Sequence, residues 1–275
     1  MIATGVHLLV IDPQRDFCDG PCDGALAVPG ADADMRRLAE LIRRAGQGID
    51  AIHVTLDSHN LLDIAHPAWW QDAEGQSPAP FTVITAGSVA DGLWRAANPA
   101  AQHRSEAYLL DLERRGKYAL VIWPPHCLIG SPGHAVHPDL LAALMTWQET
   151  YQRSVNFVLK GLNPYTEHYS AIAAEVPDSA DPATQPNRIL LEELKRAGQV
   201  LVAGEALSHC VKATVTDIAD MVGPESCRRF TLLTDCMSPV PALPGGPDFP
   251  QLGRDFLSTM KARGMRLADS AELAF

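Results

Sequence analysis

Five apolar runs in this chain end in, or lead directly to, side chains able to do chemistry. Asp12 closes VHLLVID, Asp57 and His59 follow IDAIHVTL, Trp123 and His126 follow YALVI, Lys160 follows SVNFVL, and Cys210 comes shortly after QVLVAG. A thiol, a carboxylate and an ammonium brought together are the parts of nucleophilic catalysis: the thiol attacks, the carboxylate takes and returns a proton, and the cation stabilises negative charge. Singly, each has a plainer explanation. Asp12 before Pro13 can cap a turn, Lys160 can be a surface residue at a strand end, and Cys210 can be a buried, inert thiol. Cys210 gains weight from its place in the first turn of a helix after a strand, where free N–H groups and the helix dipole favour a thiolate.

A second set is Asp57-x-His59, with His66 seven residues further on and His126 in W-P-P-H. Carboxylate and imidazole ligands suit Zn²⁺, Fe²⁺ or Mn²⁺ better than Ca²⁺ or Mg²⁺, which favour all-oxygen shells. D-x-H alone is a weak signal, and any one of these histidines can be a hydrogen-bonded core residue. Their nearness to the thiol set in the order of strand ends makes a joint site the stronger reading.

These groups act together only if the fold brings them to one edge. Short runs rich in Val, Ile and Leu recur, each followed by helical periodicity, which is the pattern of a mostly parallel sheet under covering helices. Strands are predicted near 6–12, 49–56, 118–122, 154–159, 199–204 and 229–234, and helices near 31–46, 138–152, 187–197, 209–222 and 250–263. The expected fold is a three-layer α/β/α sandwich with a central sheet of about six strands and helices on both faces. In such sheets ligands bind beyond the carboxyl ends of the strands, where all five groups fall. Residues 60–117, with Trp69, Trp70, Pro78, Pro80 and Trp94, and the Pro/Gly-rich stretch 239–250 break the alternation. The expectation is one domain over 1–275 with an inserted, loop-rich segment at about 60–117.

Composition excludes other classes. The 275 residues are 47% apolar and 20% charged, which suits a folded globular chain. Net charge is −11 with no basic block to track a phosphate backbone, so nucleic acid is not an expected partner. No apolar run reaches membrane-spanning length, and Met1-Ile-Ala-Thr-Gly-Val-His lacks the features of a signal peptide. Six cysteines are sparse for a disulfide scaffold, so a reduced, cytoplasmic setting is expected.

In order along the chain, LLVIDPQRDFCDG…LAVPG, D-S-H, WPPHCLIGSPGHAVHPDL, KGLNPYTEHYSA and VAGEALSHCVKATVTD resemble the nicotinamidase branch of the isochorismatase-like cysteine hydrolases. The combination of D-x-Q-x-D-F with WPPHC is specific, and the likeness covers most of the chain. It implies a triad of Asp12, Lys160 and Cys210, and one divalent metal, Zn²⁺ first, held by Asp57, His59 and His126 with His66 as a further ligand. It implies that Phe17 and Trp123 flank a pyridine ring, that the backbone N–H groups of Ala206 and Cys210 form an oxyanion hole, and that the Glu205–Ala206 bond is cis. The implied activity is hydrolysis of nicotinamide to nicotinate and ammonia through a thioester on Cys210, by a homo-oligomer.

Departures from the family pattern leave alternatives open. The loop NLLDIAHPAWW differs from the usual D-W-H-P-x-x-H form around His66, Leu207-Ser208 stands in place of a frequent Thr-Asp, and segment 60–117 adds length beside the metal set. The same thiol chemistry on another small amide or carbamoyl compound is the second reading. Vinyl-ether cleavage of the isochorismatase kind would not require the metal set, and a non-enzymatic metal-binding protein would carry Cys210 as a buried thiol only. Cys18 and Cys22, Trp69-Trp70, and His134, His137, His168 and His209 receive no role. His209 beside the thiol invites a role as base, but neighbouring helix residues point about 100° apart.

Overall fold

A computed structural model describes residues 5–242 and 247–273, so residues 243–246 of the Pro/Gly-rich stretch and both chain ends lie outside the described residues. In chain order the strands are β1 Val6–Ile11, β2 Ala51–Asp57, β3 Trp70–Gln71, β4 Val83–Ile84, β5 Arg95–Ala96, β6 Leu120–Val121, β7 Asn156–Lys160, β8 Gln199–Gly204, β9 Phe230–Leu233 and β10 Arg266–Ala268. The helices are α1 Ala31–Ala45, α2 Ala86–Ala90, α3 Gln102–Arg115, α4 Pro138–Tyr151, α5 Arg188–Arg196, α6 Lys212–Val222, α7 Pro224–Cys227 and α8 Phe249–Ala262, with a π-helical turn at Leu207–Val211 running into α6.

Six strands form one parallel sheet in the order β10-β9-β8-β1-β2-β7, with helices packed around it. The middle strands are buried on both faces, which is why they read as unbroken apolar runs: Leu8 to Ile11 and Val200 to Ala203 have no exposed surface. From β1 the chain winds outward through β2 to β7, then returns to β8 on the other side of β1 and winds the opposite way. The carboxyl ends of β1 and β8 therefore bound the crevice where the winding reverses. Gly204, at φ +125°, lets the two strand ends meet, since a Cβ there would lie 2.0 Å from the Ile11 carbonyl oxygen. Helix α1 buries Met35, Leu38, Leu41 and Ile42 along one stripe, and the Asp19 carboxylate accepts from the N–H groups of Gly30 and Asp32 at its start.

Two expectations are corrected. The run at 118–122 is not a strand of the central sheet: only Leu120–Val121 is extended, and it pairs antiparallel with β4 in a two-stranded ribbon. Its place as sixth strand is taken by β10, which pairs with β9 at the edge. Segment 60–117 is not loop-rich throughout. It carries the 14-residue α3, whose Ser105, Tyr108, Leu109 and Leu112 face inward, and Trp70 and Ile64 within it are fully buried. Among the described residues no helix is long and apolar enough to cross a membrane.

Candidate functional site

Register at the sheet edge does the first part of the assembly. Asp57 and Lys160 are Cα partners across β2 and β7, and Ile11 is the partner of Gly204 across β1 and β8. Asp12, one residue past β1, is thereby placed beside them. Lys160 Nζ lies 2.9 Å from Asp12 Oδ2, 3.0 Å from Asp57 Oδ1 and 3.6 Å from Cys210 Sγ, and it donates to the His168 carbonyl oxygen at 2.8 Å. Asp12 sits at φ +44°, rare for a residue with a side chain, and is held there by Thr55, whose hydroxyl donates to Asp12 Oδ1 (2.5 Å) and accepts from the Asp12 N–H (3.0 Å). Gln14 spans to β2, donating to the Asp57 carbonyl and accepting from the Asp57 N–H, both at 2.7 Å.

All four groups are buried, and their charges follow from that. Burial opposes protonation of Lys160, but Asp12 and Asp57 outweigh it and hold the ammonium well above the usual lysine range. Burial also opposes ionisation of Asp57, yet His59 and Lys160 keep it well below the carboxylate range. Asp12 goes the other way: burial raises it more than Lys160 lowers it, with Asp57 adding to the rise. The expectation that the helix start would favour a Cys210 thiolate is corrected. Burial, then Asp12 and Asp57 against the opposing Lys160, pushes the thiol well above its ordinary range, so Cys210 rests protonated.

The metal candidates lie beside this cluster. Asp57 Oδ2 is 3.1 Å from His59 Nε2 and 3.7 Å from His126 Nε2, and one donor atom from each of the three falls within 4.8 Å of the other two. His66 stands just outside that trio, its ring centroid 5.2 Å from His59 and 5.4 Å from His126. Each imidazole points its Nδ1 at an oxygen: His59 at Asp63 (3.0 Å), His126 at the Pro124 carbonyl (2.9 Å) and His66 at the Leu61 carbonyl (3.3 Å). An oxygen acceptor at Nδ1 leaves the Nε2 lone pair for a metal, the usual outer-shell arrangement of a ligating histidine. His66 Nε2 is buried with no hydrogen-bond partner, and burial followed by His126 lowers its pKa to about 4, so it is neutral. Burial opposes protonation of His59, but Asp57 and Asp63 hold it well above the imidazole range, so it gives up its Nε2 proton to join the others; an N/O donor set of this kind fits a divalent ion of the zinc type.

A single cavity joins the two sets. Phe17, Trp123, Ala206, Asp57, His126 and Cys210 line it, as do Leu26, Glu167, Tyr169, His209 and Val240, which carried no expected role. The Glu205–Ala206 peptide is cis. Glu167 is fully enclosed, and burial, then Asp63, raises its carboxyl to about 8. Trp123 Nε1 donates to the Tyr169 hydroxyl at 3.0 Å. The only available signal for Glu167 and Tyr169 was their place in KGLNPYTEHYSA. Among the described residues, segment 60–117 supplies none of this lining. It supports the wall from behind, through the Tyr108 hydroxyl that accepts from the Glu167 N–H (3.3 Å) and Trp70, which is buried and donates to the Ile64 carbonyl (2.7 Å). All six cysteines are free, and His137 pairs with Asp32 at 3.1 Å.

A comparison with protein-family models finds no match. The chain is 28% identical over 218 residues to the curated nicotinamidase of Escherichia coli, covering 76% of this chain and 74% of that one. It is 23% identical over 262 residues to the nicotinamidase of Saccharomyces cerevisiae, covering 95% and 98%. Among solved structures, an Acinetobacter baumanii nicotinamidase/pyrazinamidase superposes with a TM-score of 0.62 at 21% identity, covering 98% of this chain and 99% of that one. The yeast nicotinamidase bound to the inhibitor nicotinaldehyde gives 0.62 at 21% identity over 96% and 99%. A Pyrococcus horikoshii pyrazinamidase in complex with zinc gives 0.55 at 21% identity over 96% and 98%. The chain is thus related in sequence to curated nicotinamidases and shares the fold of solved ones.

Proposed function

We propose that the protein is an amidohydrolase that converts nicotinamide to nicotinate and ammonia, with Cys210 as nucleophile. The observation that carries this reading is the buried Lys160 ammonium set within 3.6 Å of Asp12, Asp57 and the Cys210 sulfur, of which Asp57 and Cys210 line the cavity. Names of the sequence relatives support the substrate, and the nicotinaldehyde held by the yeast enzyme is an aldehyde of the same pyridine frame.

Asp12, its affinity for protons raised by burial, takes the proton of the resting Cys210 thiol as sulfur attacks the carboxamide carbon. Lys160 stabilises the developing charge on sulfur and keeps the two carboxylates from repelling each other. The N–H groups of Ala206 and Cys210 receive the oxyanion, and losing one such donor costs about 3 kcal/mol of transition-state stabilisation. Asp12 then returns the proton to nitrogen, so that ammonia leaves and an acyl thioester remains. A water deprotonated by Asp12 cleaves the thioester, releasing nicotinate and restoring the thiol. Phe17 and Trp123 hold the ring plane, and their apolar faces exclude water. Asp57, His59 and His126, with His66 in reach, would hold one divalent ion, zinc first and Fe²⁺ or Mn²⁺ as alternatives. When bound, the ion supplies a Lewis-acid site for the pyridine nitrogen.

The test is ammonia release from nicotinamide by metal-replete protein beside Cys210→Ala and a panel of other small amides. Release from nicotinamide that disappears in the variant is the expected result. Thiol-dependent release only from a different amide would keep the chemistry and replace the substrate, and no thiol-dependent release from any amide would overturn the reading.

A further inference from the structure

We infer that Asp16 is a positioning residue of the metal centre: its carboxylate holds the Cys127 N–H and so fixes where His126 stands relative to His59. This rests on the metal reading above and adds to it a residue that belongs neither to the metal candidates nor to the cavity lining.

Asp16 sits in the 3₁₀ turn Arg15–Phe17 that follows β1. Its Oδ2 accepts from the Cys127 N–H at 2.7 Å, 111 residues away in the chain, and its Oδ1 from the Ala25 N–H at 3.2 Å. Both oxygens are thus engaged by backbone donors, and a carboxylate makes such bonds stronger than a neutral acceptor does. Cys127 is where this bears on the site. It is buried at φ +47°, a backbone region rare outside glycine that persists only where the surroundings impose it. Its carbonyl accepts from the His59 N–H at 3.1 Å, and the Ile129 N–H donates to the His59 carbonyl at 3.0 Å. One residue therefore has Asp16 on its N–H, His59 on its carbonyl and His126 as its chain neighbour.

The loop after Cys127 is shaped to receive the carboxylate. At Gly133, the last residue of G-S-P-G, a Cβ would lie 2.1 Å from Asp16 Cγ, so a side chain there crowds the carboxylate out of its place. This gives a physical reason for D-x-Q-x-D-F and the loop of W-P-P-H-C to occur together: the second aspartate of one is bonded to the cysteine N–H of the other. Its neighbours in the same short stretch act on the same site. Gln14 grips the Asp57 backbone with both ends of its amide, and the Phe17 ring meets the His126 ring at 5.5 Å. Without the Asp16 bond, Cys127 is free to leave the left-handed region, and the peptide that joins it to His126 turns with it. Asp57 keeps its Gln14 clamp, so the donor trio loses its spacing at the His126 corner.

Zinc affinity is measured by competition with a chromophoric chelator, well below the melting temperature, for the wild type, Asp16→Asn, Gly133→Ala and Leu38→Ala. Asparagine keeps the size of Asp16 but sets an NH₂ against one of the two backbone donors. Gly133→Ala leaves Asp16 intact and crowds its carboxylate. Leu38→Ala, in the buried stripe of α1, destabilises by lost packing alone. The expected result is a loss of about tenfold in zinc affinity in Asp16→Asn and in Gly133→Ala, the low end for outer partners of a metal centre, and none in Leu38→Ala. Combined, the two losses should fall short of additive, because both act on one contact. A role in folding alone lowers the melting temperature of all three variants and leaves the zinc affinity of the folded chain unchanged, which overturns the inference while the metal reading stands. Should either site variant fail to fold, the other decides, and Asp16→Glu, which keeps both acceptor oxygens on a longer arm, replaces them if both fail. A wild-type chain that binds no zinc sinks the metal reading and this inference together, and thiol-dependent ammonia release from that chain would leave the hydrolase standing alone.

Discussion

Lys160 shows how much a single buried side chain can organise. Its ammonium has two carboxylates and a carbonyl within 3.0 Å, so its charge is more than matched although the residue is enclosed. Glu175 is the opposite case, a buried carboxyl with neither oxygen hydrogen-bonded. Burial raises its pKa to about 7 from 4.5, Asp217 adding to the rise and Lys117 and Lys212 opposing it. The unfolded chain loses this proton near pH 4.5 and the folded one only near 7, so the folded state holds more protons in between and stability falls as pH rises through that window. Glu175→Gln removes the penalty. Urea melts should show no gain near pH 4 and a gain of up to about 3 kcal/mol above pH 7; a gain that is the same at both values would refute the burial argument.

At the scale of elements, the end of β7 is a tight joint in the site. Gly161 follows Lys160 at φ +81°, and a Cβ there would lie 2.9 Å from Asp57 Oδ1 and 3.4 Å from His59 Cε1. Gly161→Ala therefore strains the backbone by about 1 kcal/mol and presses on the metal candidates as well as on the Lys160 partner. Thermal melts should fall by a few degrees, and zinc retained after desalting, read by mass spectrometry, should drop out of proportion to that loss. Full zinc retention in a destabilised variant would mean that the neighbours yield. The elements also differ in how legible they were. β1 and β8 announce themselves because burial on both faces demands unbroken apolar residues. The run at 118–122 satisfies the same rule for another reason: Ile122 and Trp123 donate to the Thr82 and Ala65 carbonyls, so the inserted segment, not the sheet, takes up its backbone. β10 is three residues at an edge, too short to show a period. The spacing of Ser105, Tyr108, Leu109 and Leu112 did carry a helical signal for α3, masked by the tryptophans and prolines around it.

For the whole molecule, the metal candidates are a tie between distant parts of the chain, since Asp57 ends β2, His59 and His66 lie in the loop after it, and His126 follows β6. An ion that binds only the folded chain stabilises it by about 2.7 kcal/mol at a hundredfold excess over Kd. Chelation should lower the melting temperature, zinc should restore it, and His126→Ala should lose most of the response. Equal melting with and without zinc would remove the metal site. The same long-range logic governs the cavity, which draws Phe17, Trp123, Glu167, His209 and Val240 from five separate stretches of sequence.

Residue types and their order along the chain were enough to single out Asp12, Asp57, Lys160 and Cys210 as candidates, because a buried parallel strand writes its own apolar pattern and its polar terminus marks the edge; His126 follows a ribbon strand outside that sheet. Protonation and pairing were beyond reach of that pattern. Cys210 is a thiol and not a thiolate because of burial that Asp12 and Asp57 deepen. His209 is neutral because burial, with Lys212 adding, lowers its pKa to about 3. Charge state and tautomer are set by what lies within a hydrogen bond's length in space, and only the folded chain decides which residues those are.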